Sequence, residues 1–495
     1  MKKLNIIILF SIILLTSCYS KQKKTERENP PNLVIFFPDQ WRAHAMGFMN
    51  QDPVITPNLD KLASEGIVFT NAVANYPVCS PMRAMLMTGK YPFENGVINN
   101  CMEYEGQPIY QENMELKQEE ICWSDILKQK GYNLGYIGKW HLSKPKKPYI
   151  DCLNNNDKEG NKWNEWTPPN NRHGFDYWYA YNTYDYHMNP LYWSTDAKRN
   201  EFHYVDRWSP IEEADKAIKY LENKDNNYRD SSKPFALVVA MNPPHDDGVG
   251  DYKAYPKKYQ KYYKDKTYTE LANRPNAKLK NGEWSDWVTG HMKDYFTMVT
   301  GVDDQIGKIL ETLKQQKLDK NTIVLVVSDH GELMGSHNKR GKDLPYEEAM
   351  RIPLIIKYPE KLSPRKEDLM LSIPDIYPTL MGLMGFENDI PQAVSGTNFT
   401  NYLFKGEGEI PQSQLYIWVG ERTNTGLRGV RTKRYTFVVN NNPPIHIPDS
   451  LLLFDNHKDP YQMKNIAYQN PKLVDSLKTV LSDWLIRTND PYKLN

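Results

Sequence analysis

A cysteine stands at residue 79 in the run PVCSPMRAMLMTGKYP, which begins at Pro77. The residues from Cys79 to Thr88-Gly89 read as the first turns of a helix, and Arg83 follows Cys79 by four positions. Four positions is one helical turn, so the thiol and the guanidinium share a face. A helix start also favours negative charge beside it. Four further polar sets carry groups that bind ions or move protons: Asp39-Gln40, Lys139 with His141, His245, and Asp329-His330. Each follows an apolar run that reads as a strand. One such residue alone usually caps a turn, but four sets on one expected sheet edge point to an active site. A free thiol activated by the helix end would be one chemistry for it. That chemistry explains neither Pro81 nor the carboxylates and histidines.

The elements that must position these groups follow from the apolar pattern. Residues 33–37 form a short apolar run bounded by prolines, which suits a buried parallel strand. In TPNLDKLASEG, Thr56 is the expected N-cap, Pro57 the first helical residue and Gly66 the stop. Strands are expected at 67–72, 132–138, 235–242 and 322–328, and helices at 124–130 and 295–315. Alternation of this kind implies an α/β fold: a large, mostly parallel sheet with helices on both faces. Ligands of such sheets sit beyond the carboxyl ends of the strands. After Asp375 the pattern changes. Short strands at 415–419, 435–439 and 451–454, joined by Asn-, Pro- and Gly-rich turns, precede a helix at 471–486. A smaller C-terminal α+β domain on an antiparallel sheet is expected, so 32–385 is assigned to the large domain and 386–495 to the small one. Three polar insertions, 144–174, 222–234 and 246–287, interrupt the large domain.

The N-terminus reads as a targeting segment. Lys2 and Lys3 precede an apolar run from 4 to 15, too short to span a bilayer, and Leu15-Thr16-Ser17-Cys18 follows. The tetrad resembles a bacterial lipobox. The resemblance implies a signal peptide over 1–17, a lipid on Cys18, and an exported, membrane-anchored protein facing the periplasm. Residues 18–31 read as a flexible tether. Lys and Arg number 62 against 61 Asp and Glu, a net charge of +1 that argues against a general nucleic-acid binder. Setting Cys18 and Cys79 aside leaves Cys101, Cys122 and Cys152, an odd number that does not suit a full disulfide framework.

The order of motifs is similar to that of the formylglycine-dependent sulfatases of the alkaline phosphatase superfamily. Cys79-Ser80-Pro81-Met82-Arg83 with Leu86, Thr88 and Gly89 resembles the family's C-x-P-x-R signature. Gly138-Lys139-Trp140-His141-Leu142, Pro244-His245, Ser328-Asp329-His330-Gly331 and Gly341-Lys342 with Tyr346-Glu347, Arg351 and Pro353 resemble further landmarks in the same order. So do Arg428-Gly429-Val430-Arg431 and Leu453-Phe454-Asp455. The resemblance implies that Cys79 is oxidised to formylglycine by a maturing enzyme before export, and that its hydrate is the nucleophile. It implies one divalent metal, calcium by family habit with manganese or magnesium as alternatives, held by Asp39, Gln40, the modified Cys79, Asp329 and His330. Lys139 and Lys342 would grip sulfate oxygens and Arg83 would hold the hydrate. His245 would protonate the leaving oxygen and His141 would take a proton from the hydrate, with the reverse assignment open. A sulfate ester is an anion, so cations set in place beforehand suit its transition state.

Gln40 and His330 depart from the aspartate and asparagine that many sulfatases carry. The same pairs resemble phosphonate monoester hydrolases, which makes a phosphate diester the alternative substrate. An inactive glycan-binding lipoprotein is the non-enzymatic alternative. Trp163, Trp166, Tyr177, Trp178, Tyr179, Tyr181, Tyr184, Tyr186, His187, Tyr192 and Trp193 crowd one segment. Aromatic faces pack against sugars, and His187 is a candidate contact to a hydroxyl or sulfate; most of the rings would equally build core. With the lysine-tyrosine run at 252–268 and the lipid, they favour a sulfated polysaccharide, algal such as ulvan or a glycosaminoglycan.

Overall fold

The computed structural model describes residues 30–103, 114–156, 160–246, 255–277, 285–441 and 449–494. Cys18 and the targeting segment lie outside them. The strands in chain order are β1 Asn32–Phe36, β2 Ile67–Phe69, β3 Asn133–Lys139, β4 Tyr177–Tyr181, β5 Leu191–Ser194, β6 His203–Tyr204, β7 Phe235–Ala240, β8 Thr322–Val327, β9 Leu354–Lys357, β10 Arg365–Glu367, β11 Ser413–Val419, β12 Gly426–Thr432, β13 Tyr435–Asn440 and β14 Leu451–Asp455. The first ten form one sheet in the order β10-β2-β9-β8-β1-β7-β3-β4-β5-β6, and the last four form a second in sequence order.

The centre of the large sheet, β8-β1-β7-β3-β4, is parallel throughout. Only β9 and β5 run against the rest. Its central strands, NLVIF, FALVVA and TIVLVV, are apolar along their length and fully buried, as strands covered on both faces must be. Alternation along β1 divides two cores: Leu33 and Ile35 face one, Val34 and Phe36 the other. The small sheet is antiparallel.

Several expectations shift in detail. Thr56 holds the N-cap position, but its hydroxyl does not cap the helix Pro57–Ser64. It accepts from the Gly47 N–H at 2.8 Å and donates to Asp60 at 2.9 Å. Gly66 is not a left-handed stop; a Cβ there would lie 2.8 Å from the Ile356 carbonyl, so glycine lets β9 approach. The long helix starts earlier than expected, Ser285–Gln315. β12 was legible only as a pair of arginines, because Arg428 and Arg431 break the apolar pattern. Both are buried on ion pairs, with Asp490 and Glu347. The helices Ser209–Glu222 and Ile373–Leu383 were likewise absent from the sequence expectation. All four cysteines among the described residues are unpaired.

The aromatic segment builds core. Trp163, Trp178, Tyr179, Tyr181, Tyr184, Tyr192 and Trp193 are buried, with Tyr136 stacked on Trp178 and Tyr179 on Tyr192. In the lysine-tyrosine run, Tyr255, Tyr259 and Tyr263 recur every four residues on the inside, while Lys257, Lys258, Lys261, Lys264 and Lys266 face solvent. Residues 252–254 lie outside the described set.

The four polar sets stand at or just beyond the ends of β1, β3, β7 and β8, four neighbours in the sheet, so one edge of the parallel core gathers them all. Gly331, just beyond β8, closes this edge: a Cβ there would sit 1.9 Å from the Glu348 carbonyl oxygen. Gly331→Ala is expected to destabilise the protein by about 1–3 kcal/mol, the usual cost of overpacking. Denaturant unfolding reads it, and an unchanged midpoint would show that the two segments part freely.

Candidate active site

Cys79 is the first residue of the helix Cys79–Thr88, all ten residues of which are buried. Pro81 fits the first turn because that turn has no intrahelical use for its N–H. Ser80 fastens the helix start: its hydroxyl donates to the His141 carbonyl at 2.6 Å and accepts from the Cys101 N–H at 3.0 Å. Gly89, at φ 66°, ends the helix by returning its N–H to Met85.

Arg83 faces Cys79's side of the sheet edge. Its Nη2 donates to Asp39 Oδ2 at 3.0 Å and to Asp329 Oδ2 at 3.1 Å, and its Nη1 to the Lys139 carbonyl at 2.8 Å. The Oδ1 atoms of the two carboxylates are thereby directed away from the guanidinium. Asp39 Oδ1 lies 3.7 Å from the Cys79 sulfur and 3.6 Å from His330 Nε2, which is itself 3.3 Å from that sulfur. Asp39, Cys79, Asp329 and His330 offer ligand atoms all within 4.8 Å of one another. His330 Nδ1 faces the Gly331 carbonyl at 3.0 Å, which holds the proton there and leaves the Nε2 lone pair for the cluster. Burial, with Lys342 adding, keeps its pKa down at about 4, so the ring is neutral. Gln40 sits at φ 61°, a conformation rare outside glycine. Its amide nitrogen donates to Glu332 at 2.6 Å, and its oxygen accepts from Lys342 at 3.0 Å. Two carboxylates, an imidazole, an amide and a sulfur form a donor set that suits one divalent cation.

Three cations surround it, Arg83 and Lys139 buried and Lys342 half-buried. Lys139 reaches Asp39 Oδ2 at 2.9 Å and Asn242 at 3.0 Å. Lys342 reaches the Cys79 sulfur and His245 Nε2, each at 3.1 Å. Burial alone would raise the Asp39 pKa, but Lys139, then His245, Arg83 and Lys342, hold it well below the carboxylate range. The Cys79 thiol goes the other way: burial first and Asp39 second raise its pKa. A thiolate favoured by the helix start is therefore not what this pocket provides.

The two histidines differ sharply. His245 Nδ1 lies 3.0 Å from an Asp246 carboxylate oxygen and 4.0 Å from Asp185. Those two carboxylates outweigh burial and Lys342 and bring its pKa up to about 9. His141, at φ 54°, has both ring nitrogens buried without a hydrogen-bond partner among the described residues. Burial, then Lys139 and Arg83, hold it well below the usual imidazole value, so it is neutral. His187 is buried, its Nε2 3.2 Å from Asn242, and reaches Lys139 through that amide.

The edge of the sheet therefore brings together Asp39, Gln40, Cys79, Arg83, Lys139, His245, Asp329, His330 and Lys342, with His141 and His187 in adjoining layers. Sequence reasoning gave no role to Asp185, Asn242, Asp246 or Glu332. Asn242 donates to Asp185 at 2.6 Å and so turns its oxygen to Lys139. Asp246 and Asn242 flank the quoted Pro244-His245, and their closeness in sequence was the available signal. Asp185 lay among the aromatics with none.

Two family models match the chain: Sulfatase over residues 31–386, and N-sulphoglucosamine sulphohydrolase, C-terminal, over 335–489. The chain is 39% identical to an endo-4-O-sulfatase of Bacteroides thetaiotaomicron, with 96% of each covered. It is 32% identical to an ulvan-active sulfatase of Formosa agariphila, over 97% of this chain and 86% of that one. The crystal structure of the yidJ protein of Bacteroides fragilis superposes with a TM-score of 0.86 at 45% identity, covering 96% of this chain and 100% of the other.

The His245 environment yields a direct check. Its imidazolium is held by anions, so the ring stays protonated below a pKa of about 9 and loses its proton as pH rises through that value. Asp246→Asn removes one of those anions and is expected to lower the ring's titration by about one pH unit, roughly 1.4 kcal/mol of lost interaction. NMR titration of the His245 ring measures this; an unmoved midpoint would exclude Asp246 as the cause.

Proposed function

Because this chain belongs to the sulfatase family and is a sulfuric ester hydrolase, we propose that it removes sulfate from a sulfated polysaccharide or oligosaccharides released from one. The substrate is algal, such as ulvan, or a glycosaminoglycan. Near full-length similarity to an endo-4-O-sulfatase and an ulvan-active sulfatase supports that substrate class. The observation that carries the mechanism is the position of Cys79: at a helix start, within 3.7 Å of Asp39, His330 and Lys342.

On this reading Cys79 is converted to formylglycine by a maturing enzyme before export, and its hydrate supplies the nucleophilic oxygen. Asp39, Gln40, Asp329 and His330, with the modified residue 79, would hold one divalent cation. That ion, when bound, supplies positive charge against the sulfate oxygens and acidifies the nucleophile. Calcium is the first choice, and the imidazole in the set keeps manganese in contention beside magnesium.

The chain's own residues divide the remaining work. Lys139 and Lys342 hold sulfate oxygens, and Arg83 keeps both carboxylates in register beneath residue 79. In the free pocket the Lys342 ammonium crowds His245 Nε2 at 3.1 Å. A sulfate ester that takes over Lys342 frees Nε2 to carry a proton to the departing sugar oxygen. The anions around Nδ1 favour this acid role. Neutral His141 accepts a proton from the hydrate. Attachment through a lipid on Cys18, facing the periplasm, would bring the enzyme to oligosaccharides imported by the cell.

Cys79→Ala is expected to lower turnover of a sulfated oligosaccharide at least a thousandfold, on the order seen when a nucleophile is removed, with unfolding unchanged. Retained activity removes the nucleophile assignment, and so does an unmodified thiol by mass spectrometry of the peptide from the native host. His245→Ala is expected to cost about 10²–10⁴-fold on sugar sulfates and clearly less on an aryl sulfate, whose leaving group needs little protonation. Equal losses would make His245 a binding group. Faster cleavage of a phosphate diester than of any sulfate ester would replace the proposed reaction.

A further inference from the structure

A second cationic cavity, of about 510 Å³, lies between the two sheets and shares no lining residue with the Cys79 site. His44, from the segment after β1, lines it with Arg274, Arg351, and Arg431 and Lys433 at the end of β12. Two of the guanidiniums are also structural. Arg431 grips both oxygens of Glu347 at 2.7 and 2.9 Å, and Arg274 reaches Glu348 at 2.6 Å. Lys433 pairs with Asp368 at 2.7 Å. Those three pairs account for three of the four fixed cations.

Arg351 is left over. It makes no ion pair among the described residues, and its Nη2 donates only to the neutral Gln51 amide. Burial holds its pKa below the usual guanidinium value; Glu347 opposes this, and Arg431 and Arg274 add to it. The cavity therefore carries one positive charge more than its carboxylates neutralise. Its walls also hold unused polar atoms: Arg274 Nε, Arg351 Nε, Arg431 Nη1 and His44 Nδ1 are buried without a hydrogen-bond partner among the described residues. Arg274, Arg431 and His44 are 6, 3 and 2% exposed, so bulk solvent does not serve them. Water could satisfy the donors but not the charge. An ion-paired seam between the sheets explains Glu347 and Glu348 but not Arg351.

We propose that this cavity binds an oxyanion, a sulfate or carboxylate group, gripped by Arg351 with Arg274 and Arg431. Guanidinium forks match the paired oxygens of both groups. The oxyanion is either free in solution, as inorganic sulfate is, or borne by a sugar remote from the ester being cut. Only the second source rests on the proposed function.

Selenate, a sulfate isostere located by its anomalous scattering, separates the outcomes. In crystals of the full chain soaked with selenate, selenium is expected beside Arg351 independently of the Cys79 pocket. In calorimetry the wild type binds selenate with a component that Arg351→Gln weakens at least tenfold. A cavity without selenium overturns the proposal. Selenium in crystals with no component sensitive to Arg351→Gln marks an adventitious ion only and also overturns it. The wild-type soak decides even if the variant does not fold. With binding established, Arg351→Gln identifies the source. A roughly tenfold higher KM for a sulfated oligosaccharide, at unchanged kcat and unchanged kinetics on an aryl sulfate, assigns the oxyanion to a remote sugar. Unchanged KM on both assigns it to a free ion.

Discussion

One guanidinium organises this molecule's chemistry. Asp39 and Asp329 come from the ends of adjacent strands and carry like charges into a dry pocket, where each alone would cost several kcal/mol to bury. Arg83 donates to one oxygen of each. It cancels much of their repulsion and at the same time points their other oxygens to the sulfur and His330. Because Arg83 lies one turn beyond Cys79 on the same helix, the arrangement that orients the carboxylates also positions residue 79. The signature spacing is thus a geometric requirement: a shift of one residue would turn the guanidinium about 100° away from the sheet edge.

Around that pair the charges are graded. Lys139, Lys342 and Arg83 outnumber the two carboxylates, so the pocket is electropositive before any ion arrives and suits an anionic ester. Further out, Asp185 and Asp246 reverse the sign locally at His245 Nδ1, while among the described residues no carboxylate hydrogen-bonds the His141 ring. Two imidazoles in one pocket consequently have opposite protonation preferences, which is how acid and base chemistry are kept apart at one pH. Asn242 couples the layers. A single amide receives Lys139 on one side and donates to Asp185 and toward His187 on the other.

The same physics separates core from surface where composition alone misleads. The crowd of aromatics between Trp163 and Trp193 resembles a sugar platform in the sequence, but β4 and β5 turn most of those rings inward, where large apolar area is most stabilising. The lysine-tyrosine run resolves into a buried tyrosine stripe packed against the long helix and a solvated lysine face. The reverse holds for Arg274 and Arg431, charged side chains that are nonetheless buried.

The amino-acid sequence alone determined the parallel core and its loaded edge. Apolar runs 33–37, 235–242 and 322–328 can be covered only by helices on both faces, and polar groups that follow each run must then share the carboxyl edge. Local spacing also placed Cys79 and Arg83 on one helix face, whereas the donor set came from the sequence only as what the resemblance to the sulfatases implies. Tertiary structure decided what local pattern does not encode: the rank of β9 and β5 as the strands running against the sheet, β12 hidden by its buried arginines, and Asp185 reaching His245 from 60 residues away in the chain. Protonation belongs to the same class. Whether a histidine is charged depends on which carboxylates the fold brings to its ring and how much water it excludes, and neither is a property of the residue or of its neighbours in sequence.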